Sequence, residues 1–390
     1  MKKSLFALAA LSAVAGAAQA QSSVTVYGIL DVGFSSTSTR VAAKKDTTNL
    51  LDQSRETSSR LGFKGTEDLG GGLSAFFTAE TGLNPNGTTF SSMDNRQTFL
   101  GLAKKGLGAA SIGTQYTVEH DAISSTDPSG SANVAGSIIR PAGYSTAPNG
   151  TQNSNAGQYN ASSAEVVATT NALKVNSEKF AGFGLNAMYV QNGQNKTQTS
   201  ASYGGHNNYT GWGLSGDYTW QKLYATVAYQ SFKQEQSGLT AAAAGFASGA
   251  KFDTDNTIGS QTNTTDNGFY GAATYDFGIL KAYANYISRK ITSNNDSSYY
   301  AKRSGQQIGV RSYITPTIES WASIGTGRLT AYGSASPTAN LVAWQLGTNY
   351  YLSKRTNLYG IYGQSQSSST SDNLGGGAIS QLAVGVRHTF

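Results

Sequence analysis

The sequence predicts an all-β protein, a transmembrane antiparallel β-barrel of sixteen strands. Three observations indicate this fold: segments of alternating apolar and polar residues recur along the chain, most of them are 9–13 residues long, and short connections alternate with long ones. A tilted strand crosses a bilayer in about 9–11 residues, whereas strands of water-soluble proteins are most often about 5–6 residues long. Strand length therefore favours a membrane barrel over a soluble β-sandwich.

The composition fits a barrel with a water-filled interior. The chain of 390 residues has 46 glycines, 22 tyrosines and 6 prolines, and hydrophobic residues make up 38% of it. An ordinary globular domain has about 45–50% apolar residues, with glycine counted among them. A β-protein with many turns and little solid core accounts for the high glycine content and for the low fraction of hydrophobic residues.

The first twenty residues read as a secretory signal peptide. Lys2 and Lys3 precede a short apolar run, and an Ala-x-Ala site ends at Ala20, so cleavage is predicted before Gln21. Residues 21–390 then form a single transmembrane barrel domain. Removing the two lysines leaves 26 basic against 22 acidic residues, a net charge of +4. This mild charge does not indicate nucleic acid as a partner.

The residue types that most catalytic sites need are scarce. The chain has no cysteine, which excludes disulfides and thiolate chemistry, and its three histidines, His120, His206 and His388, are far apart in the sequence. No HExxH metal motif and no Gly-x-Ser-x-Gly nucleophile elbow occurs. We therefore predict no catalytic residue, no metal site and no cofactor.

Sixteen segments carry the strand pattern, and several of them, such as 304–315 and 340–352, have one apolar face. In chain order they are 23–34, 57–66, 73–83, 96–104, 108–116, 169–177, 183–191, 210–219, 223–233, 267–277, 280–291, 304–315, 319–330, 340–352, 356–365 and 379–390. Side chains of a strand point alternately to opposite faces. In a membrane barrel the apolar face meets lipid and the polar face lines the lumen.

The connections differ in length on the two sides of the predicted barrel. Short turn-like connections such as EDLGGG, KKGL and LSKR alternate with long polar ones such as SSTSTRVAAKKDTTNLLDQSR and SQSSSTSDNLGGG. Outer-membrane barrels have short periplasmic turns and longer extracellular loops. An even number of strands places both chain ends on the periplasmic side.

The chain ends on a bulky aromatic residue, Phe390, directly after the alternating segment 379–390. A free tail would place this side chain poorly. Pairing of the last segment with 23–34 would close the barrel and remove the sheet edge that lipid cannot tolerate. Phe390 is then predicted to lie at the periplasmic membrane interface.

Four segments carry a resemblance to a known family. They read QSSVTVYGILDVGF, SSRLGFKGTEDLGGGLSAFFTAETG, NRQTFLGLAKKGLGAASIGTQY and LAVGVRHTF. Together they make the chain similar to Gram-negative porins of the β-proteobacterial type, related to neisserial porins. The resemblance implies a homotrimer of sixteen-stranded barrels in the outer membrane, with the long third loop folded into the lumen and Phe390 acting as part of an assembly signal.

The candidate for that loop is the longest connection, 117–168. Connections of this length are usually functional or disordered. Its first part contains three carboxylates, Glu119, Asp121 and Asp127, which are the candidates for the acidic side of a pore constriction.

Basic residues are expected on the wall facing the loop. Arg60 and Lys64 have luminal parity, Arg60 and Arg96 match family positions of constriction arginines, and Arg55 precedes the second strand. Arg96 shares parity with two leucines of its strand, so these leucines would also face the lumen if Arg96 does. A β-bulge could reset the alternation, or the inner loop could cover the leucines. The family often has a basic residue before the strand at 169–177, where this chain has only Lys174 inside the strand.

The resemblance implies passive diffusion of small hydrophilic solutes and ions through a water-filled pore, with outer-membrane lipid around the barrel. Rings of Arg or Lys favour anions. Since the wall candidates slightly outnumber the loop carboxylates, a weak anion preference is predicted. The alternatives are a substrate-selective porin, an outer-membrane barrel enzyme and a soluble β-sandwich binding protein.

Overall fold

The structure is a computed structural model that describes residues 23–41, 44–141, 165–192, 198–200, 203–204, 207–236, 264–294, 297–298, 300–332, 338–368 and 377–390. The predicted signal peptide and its cleavage site at Ala20 and Gln21 lie outside these residues, as does the stretch 142–164 of the long connection.

The described residues form nineteen strands and one helix. The elements are β1 (Ser23–Val41), β2 (Lys44–Gln53), β3 (Arg60–Gly70), β4 (Leu73–Leu83), β5 (Ser91–Lys104), β6 (Gly108–Tyr116), α1 (Val118–Thr126), β7 (Ala168–Ser177), β8 (Phe183–Asn192), β9 (Gln198–Ser200), β10 (Tyr203–Gly204), β11 (Asn207–Trp220), β12 (Leu223–Gln236), β13 (Thr264–Asp276), β14 (Lys281–Ser293), β15 (Tyr300–Thr315), β16 (Ile318–Tyr332), β17 (Thr338–Tyr351), β18 (Thr356–Ser367) and β19 (Gly377–Thr389). No helix in the described ranges is long and apolar enough to cross a membrane.

Seventeen of these strands form one closed antiparallel sheet with sixteen wall positions. From β3 to β8 and from β11 to β19 each strand pairs with the next along the chain, and β1 pairs with both β2 and β3. β8 pairs with β11, and β19 pairs with β1. The strands β2 and β3 share one wall position, because both pair with β1. Residues 32–41 of β1 pair with β2, and residues 23–29 pair with β3. The prediction of sixteen strands is therefore confirmed, and β9 and β10 form a separate two-stranded ribbon.

The prediction of a long loop over residues 35–55 is wrong for most of this segment. Instead of an irregular loop, β1 continues to Val41 and returns as β2 in a long hairpin. Threonine has a high strand propensity, and pairing within a hairpin satisfies the backbone groups of this polar stretch without an apolar face. Hydrophobic alternation therefore missed these strand residues.

The two faces of the sheet differ as a membrane barrel requires. On β17, Val342 and Leu346 are exposed, whereas Gln345 and Asn349 on the other face are fully buried. The same division holds on β15, where Ile308 is exposed and Gln307 is buried. Apolar side chains that are exposed outside and polar ones that are buried inside are the arrangement of a membrane barrel with a polar interior.

The segment 118–140, which we call the inner segment, packs against this polar face. Thr117 caps α1 by accepting a hydrogen bond from the His120 amide at 3.1 Å. Beyond the helix, Gln307, Gln345, Ser365 and Gln381 on β15, β17, β18 and β19 hydrogen-bond to backbone atoms of 134–138. A side chain at Gly363 would collide with this segment, since an added Cβ would lie 1.8 Å from the Ala135 carbonyl oxygen.

The C-terminal residue closes the sheet, as predicted. The Phe390 amide donates to the Gly28 carbonyl oxygen at 3.1 Å, and the Gly28 amide donates to the Phe390 carbonyl oxygen at 3.1 Å. The phenyl ring covers Gly28, where an added Cβ would lie 2.2 Å from Phe390 Cζ. The terminal residue is therefore part of the seam between β19 and β1.

Candidate functional site

A cluster of two arginines around one buried carboxylate lies on the inner face of β3, β4 and β5. Arg96 Nε donates to Glu80 Oε1 at 2.8 Å, and Arg60 Nη1 lies 3.8 Å from the same oxygen. The other carboxylate oxygen accepts from the Tyr27 hydroxyl at 3.0 Å. Arg96 Nη2 also donates to the Tyr116 hydroxyl at 2.8 Å. Two predicted wall residues are thus brought together by a carboxylate that fixes their orientation.

A β-bulge brings Arg96 to this face. Between β4 and β5, Glu80 is opposite Gln97 and Thr81 is opposite Asn95, which leaves Arg96 without a partner in the register. The extra residue resets the alternation, so that Leu100 farther along β5 faces outward and is 65% exposed. The bulge therefore resolves the parity conflict between the arginine and the leucines.

The remaining two wall candidates lie apart from the pair. Lys64 is exposed on the inner face of β3, with its ammonium group 5.4 Å from the centre of the Tyr27 ring. Arg55 instead contacts Asp52 at 2.5 Å and donates to the Asn133 carbonyl oxygen of the inner segment at 3.3 Å. Arg55 therefore ties the wall to the inner segment, and its charge is balanced by Asp52.

The three acidic candidates occupy three different environments. The Asp121 side chain is 46% exposed and forms an ion pair with Lys174 of β7, whose ammonium group also donates to the Tyr116 carbonyl oxygen at 3.0 Å. Asp127 accepts hydrogen bonds from Ser129 and Ser131 and closes the turn after α1. Glu119 is fully buried between α1 and the wall.

Glu119 is buried without a hydrogen-bond donor. Among the described atoms neither carboxylate oxygen has a partner, and Gly268 of β13 makes room for the group, since an added Cβ there would lie 2.3 Å from Glu119 Oε2. Burial raises the pKa of Glu119 well above its usual range, and the nearby charge of Glu165 adds to this, whereas Arg289 lowers it. Glu119 therefore faces the wall at β13 and lies apart from Arg60 and Arg96.

Replacing Glu119 with glutamine is expected to stabilise the barrel at pH 8 by about 1–3 kcal/mol and to change little at pH 4. The raised pKa means that the folded state keeps a proton that the unfolded state loses, so stability falls as pH rises above the ordinary carboxyl range. Urea unfolding in detergent at both pH values measures this difference. Asp121→Asn on the same helix is the matched control, and it should not stabilise the barrel at pH 8, because it removes the ion pair with Lys174. A pH-independent effect of Glu119→Gln would contradict the prediction.

Sequence reasoning missed Glu80 and underrated Lys174. Glu80 shares the parity of the inner face of β4, so the alternation of that segment could have identified it. Lys174 stands opposite Ser111 of β6, close to Asp121, and supplies a cation where the sequence departs from the family pattern. The carboxylate beside the two arginines is thus Glu80 of the wall, whereas the predicted carboxylates all belong to the loop.

Other ion pairs line the inner face or anchor the inner segment. They are Arg289–Asp266 at 2.6 Å, Arg311–Glu319 at 2.7 Å, Arg387–Glu56 at 3.2 Å and Arg140–Glu165 at 3.1 Å. Glu165 also contacts His120 Nδ1 at 2.9 Å, and the neighbouring His120 and Arg140 lower the pKa of this buried carboxyl despite its burial. The contacts of Glu165 with His120 and Arg140 therefore tie the end of the long connection to its inner segment.

A closed barrel of sixteen antiparallel wall positions, apolar outside and lined with ion pairs inside, defines the chain as a β-barrel membrane protein. The family model described as Gram-negative porin matches residues 7–370, and the chain belongs to this family. It is therefore a protein of the Gram-negative outer membrane, as the sequence analysis predicted.

The chain is similar to several named porins. It is 39% identical over 145 residues to an outer membrane porin protein of Bordetella pertussis, which covers 33% of this chain and 37% of that protein. It is 52% identical over 80 residues to outer membrane porin protein 32 of Delftia acidovorans, covering 20% of this chain and 22% of that protein. The major outer membrane protein P.IB of Neisseria meningitidis is 38% identical over 127 residues, 31% of this chain and 36% of that protein. The matches thus span about a third or less of each relative.

Solved structures share the fold over nearly the whole chain. The anion-selective porin from Comamonas acidovorans has a TM-score of 0.67 and 21% identity, covering 95% of this chain and 100% of that one. The trimer form of OmpT from Vibrio cholerae has a TM-score of 0.60 and 15% identity, covering 95% and 99%. At these identities the likeness concerns the fold.

Proposed function

We propose that the chain forms a water-filled channel through which small hydrophilic solutes and ions diffuse passively across the outer membrane, with a weak preference for anions. The inner segment lies in the lumen and narrows it on the side of β11–β19. The open side is lined by β1 and β3–β7, where Arg60 and Arg96 lie. Family membership and the polar inner face support the channel.

The observation that carries the anion preference is the charge of the arginine cluster on this open side. Arg60 and Arg96 share a single carboxylate, Glu80, which leaves the cluster with a charge of +1 (two minus one). Cationic linings favour anions. The likeness in fold to a porin described as anion-selective points in the same direction.

We propose the homotrimer as the assembled form. The sequence resemblance to trimeric porins and the fold shared with a protein described in a trimer form support it. Lipid covers the exposed apolar face of each barrel where no partner subunit does.

The expected result in a planar bilayer under a KCl gradient is single-channel conductance in steps of three, with a small reversal potential that favours chloride. The preference should shrink at 1 M salt, because the Debye length falls to about 3 Å. A reversal potential that favours potassium would overturn the arginine assignment. Folded protein without any channel would overturn the channel itself, and saturation by one class of solute would indicate a substrate-selective porin.

A further inference from the structure

Within the part of the chain that the structure describes, three cations on the outer face of β14, β15 and β16 have no acidic partner. Lys290, Lys302 and Arg328 lie on the same faces of their strands as the exposed apolar residues Tyr286, Ile308 and Ile324. Within the described residues none of the three forms an ion pair. They therefore point toward the surroundings of the barrel and away from its lumen.

The three side chains form one patch. Lys290 stands directly opposite Lys302 in the antiparallel pair β14–β15, and Arg328 stands opposite Ser304, two residues from Lys302. Like charges directly opposite each other destabilise a sheet. A counter-charge from outside the chain would remove this repulsion.

No carboxylate lies on the outer face of the strands that carry the patch or of the next strand, β17. The sequences of β14–β17 contain a single carboxylate, Glu319, which lies on the inner face and is held by Arg311 at 2.7 Å. The Lys290 ammonium group lies 4.5 Å from the centre of the Tyr300 ring, an arrangement of an aromatic ring beside a cation that suits a membrane interface.

The height of the patch fits the headgroups of the outer leaflet. The connections Asp276–Lys281 and Thr315–Ile318 are short turns and hence periplasmic, and the patch lies toward the other end of these strands. Lys290 and Arg328 are each four residues beyond an exposed apolar residue, about 13 Å along the strand. A cation on the lipid face costs about 2–4 kcal/mol at the midplane and about 0–1 near the interface.

We propose that Lys290, Lys302 and Arg328 bind the phosphate group of a lipid in the outer leaflet. Arginine and lysine pair with phosphate through charge-assisted hydrogen bonds, and the acyl chains of such a lipid would cover the exposed apolar side chains below the patch. The site lies outside the lumen and is independent of ion selectivity.

The test uses the purified full-length protein in detergent with bisphosphorylated lipid A as the probe, and native mass spectrometry counts the bound lipid. Lys290→Gln/Lys302→Gln is expected to weaken binding about tenfold or more. Arg40→Gln/Lys45→Gln is the matched control, because it removes two facing cations from the β1–β2 hairpin, at the same end of the barrel. It should bind as the unaltered protein does.

The same lipid after removal of its phosphates should bind weakly to every form. Heat-modifiable mobility in gels confirms folding, and the single change Lys302→Gln gives a milder variant with an expected loss of several-fold. Equal binding by patch and control variants, or binding that does not depend on phosphate, would overturn the proposal. A patch variant that changes only the oligomeric state would also overturn it, since the face would then dock a second copy.

Discussion

Replacing Arg60 and Arg96 together with glutamine is expected to abolish the anion preference. The change lowers the charge of the arginine cluster from +1 to −1, because only Glu80 then keeps its charge. A unit charge about 6 Å from a permeating ion contributes about 0.7 kcal/mol in water. The chloride-to-potassium permeability ratio should therefore fall about three- to tenfold at 10 mM salt, and less at 1 M.

A series of variants makes this prediction sharper. Glu80→Gln raises the charge of the cluster to +2, and Arg60→Gln/Glu80→Gln/Arg96→Gln gives 0, so anion preference should fall in the order Glu80→Gln, unaltered protein, triple variant, double variant. The triple variant also avoids leaving a buried carboxylate unpaired, which would cost about 3–5 kcal/mol. Reversal potentials measured for all four test the order.

The matched control is Lys222→Gln/Lys354→Gln, which removes two cations from exposed turns at the rim of the barrel. It should shift the reversal potential little, since water of high dielectric constant surrounds the rim charges and their effect on an ion in the constriction falls with distance. A control that shifts selectivity as much as the arginine pair would show that the preference arises at the mouth, and the constriction assignment would be wrong.

The barrel could be predicted from the sequence because lipid imposes a period of two on every wall strand. Sixteen positions and the seam at Phe390 follow from that pattern and are confirmed. The hairpin of β1 and β2 could not be predicted in this way, because its polar residues have no apolar face to reveal the alternation.

The site was less predictable than the barrel. The Arg96 bulge depends on how β4 and β5 pair, which alternation in a single strand does not encode. Asp127 closes a turn through Ser129 and Ser131, and Glu119 turns toward β13, because the inner segment adopts its path only when it packs on the wall. Since acidic residues were sought only in the loop, Glu80 was missed.

Deleting Phe390 is expected to destabilise the barrel by about 2–4 kcal/mol, because it removes two hydrogen bonds of the seam and the ring that covers Gly28. The free energy of unfolding is measured by urea titration in detergent, with heat-modifiable gel mobility as the assay of folding. Phe180→Ser, which removes an aromatic side chain that is 84% exposed in a turn, is the matched control and should change stability little.

A second substitution separates the ring from the backbone. Phe390→Gly keeps both hydrogen bonds with Gly28 and loses only the ring, so it should cost less than the deletion if closure depends on the paired backbone. An open edge at β19 and β1 would leave backbone groups unpaired in lipid, where each costs several kcal/mol. If the deletion and Phe390→Gly destabilise equally, the ring alone holds the seam, and if neither has an effect, the terminal residue is not part of the closure.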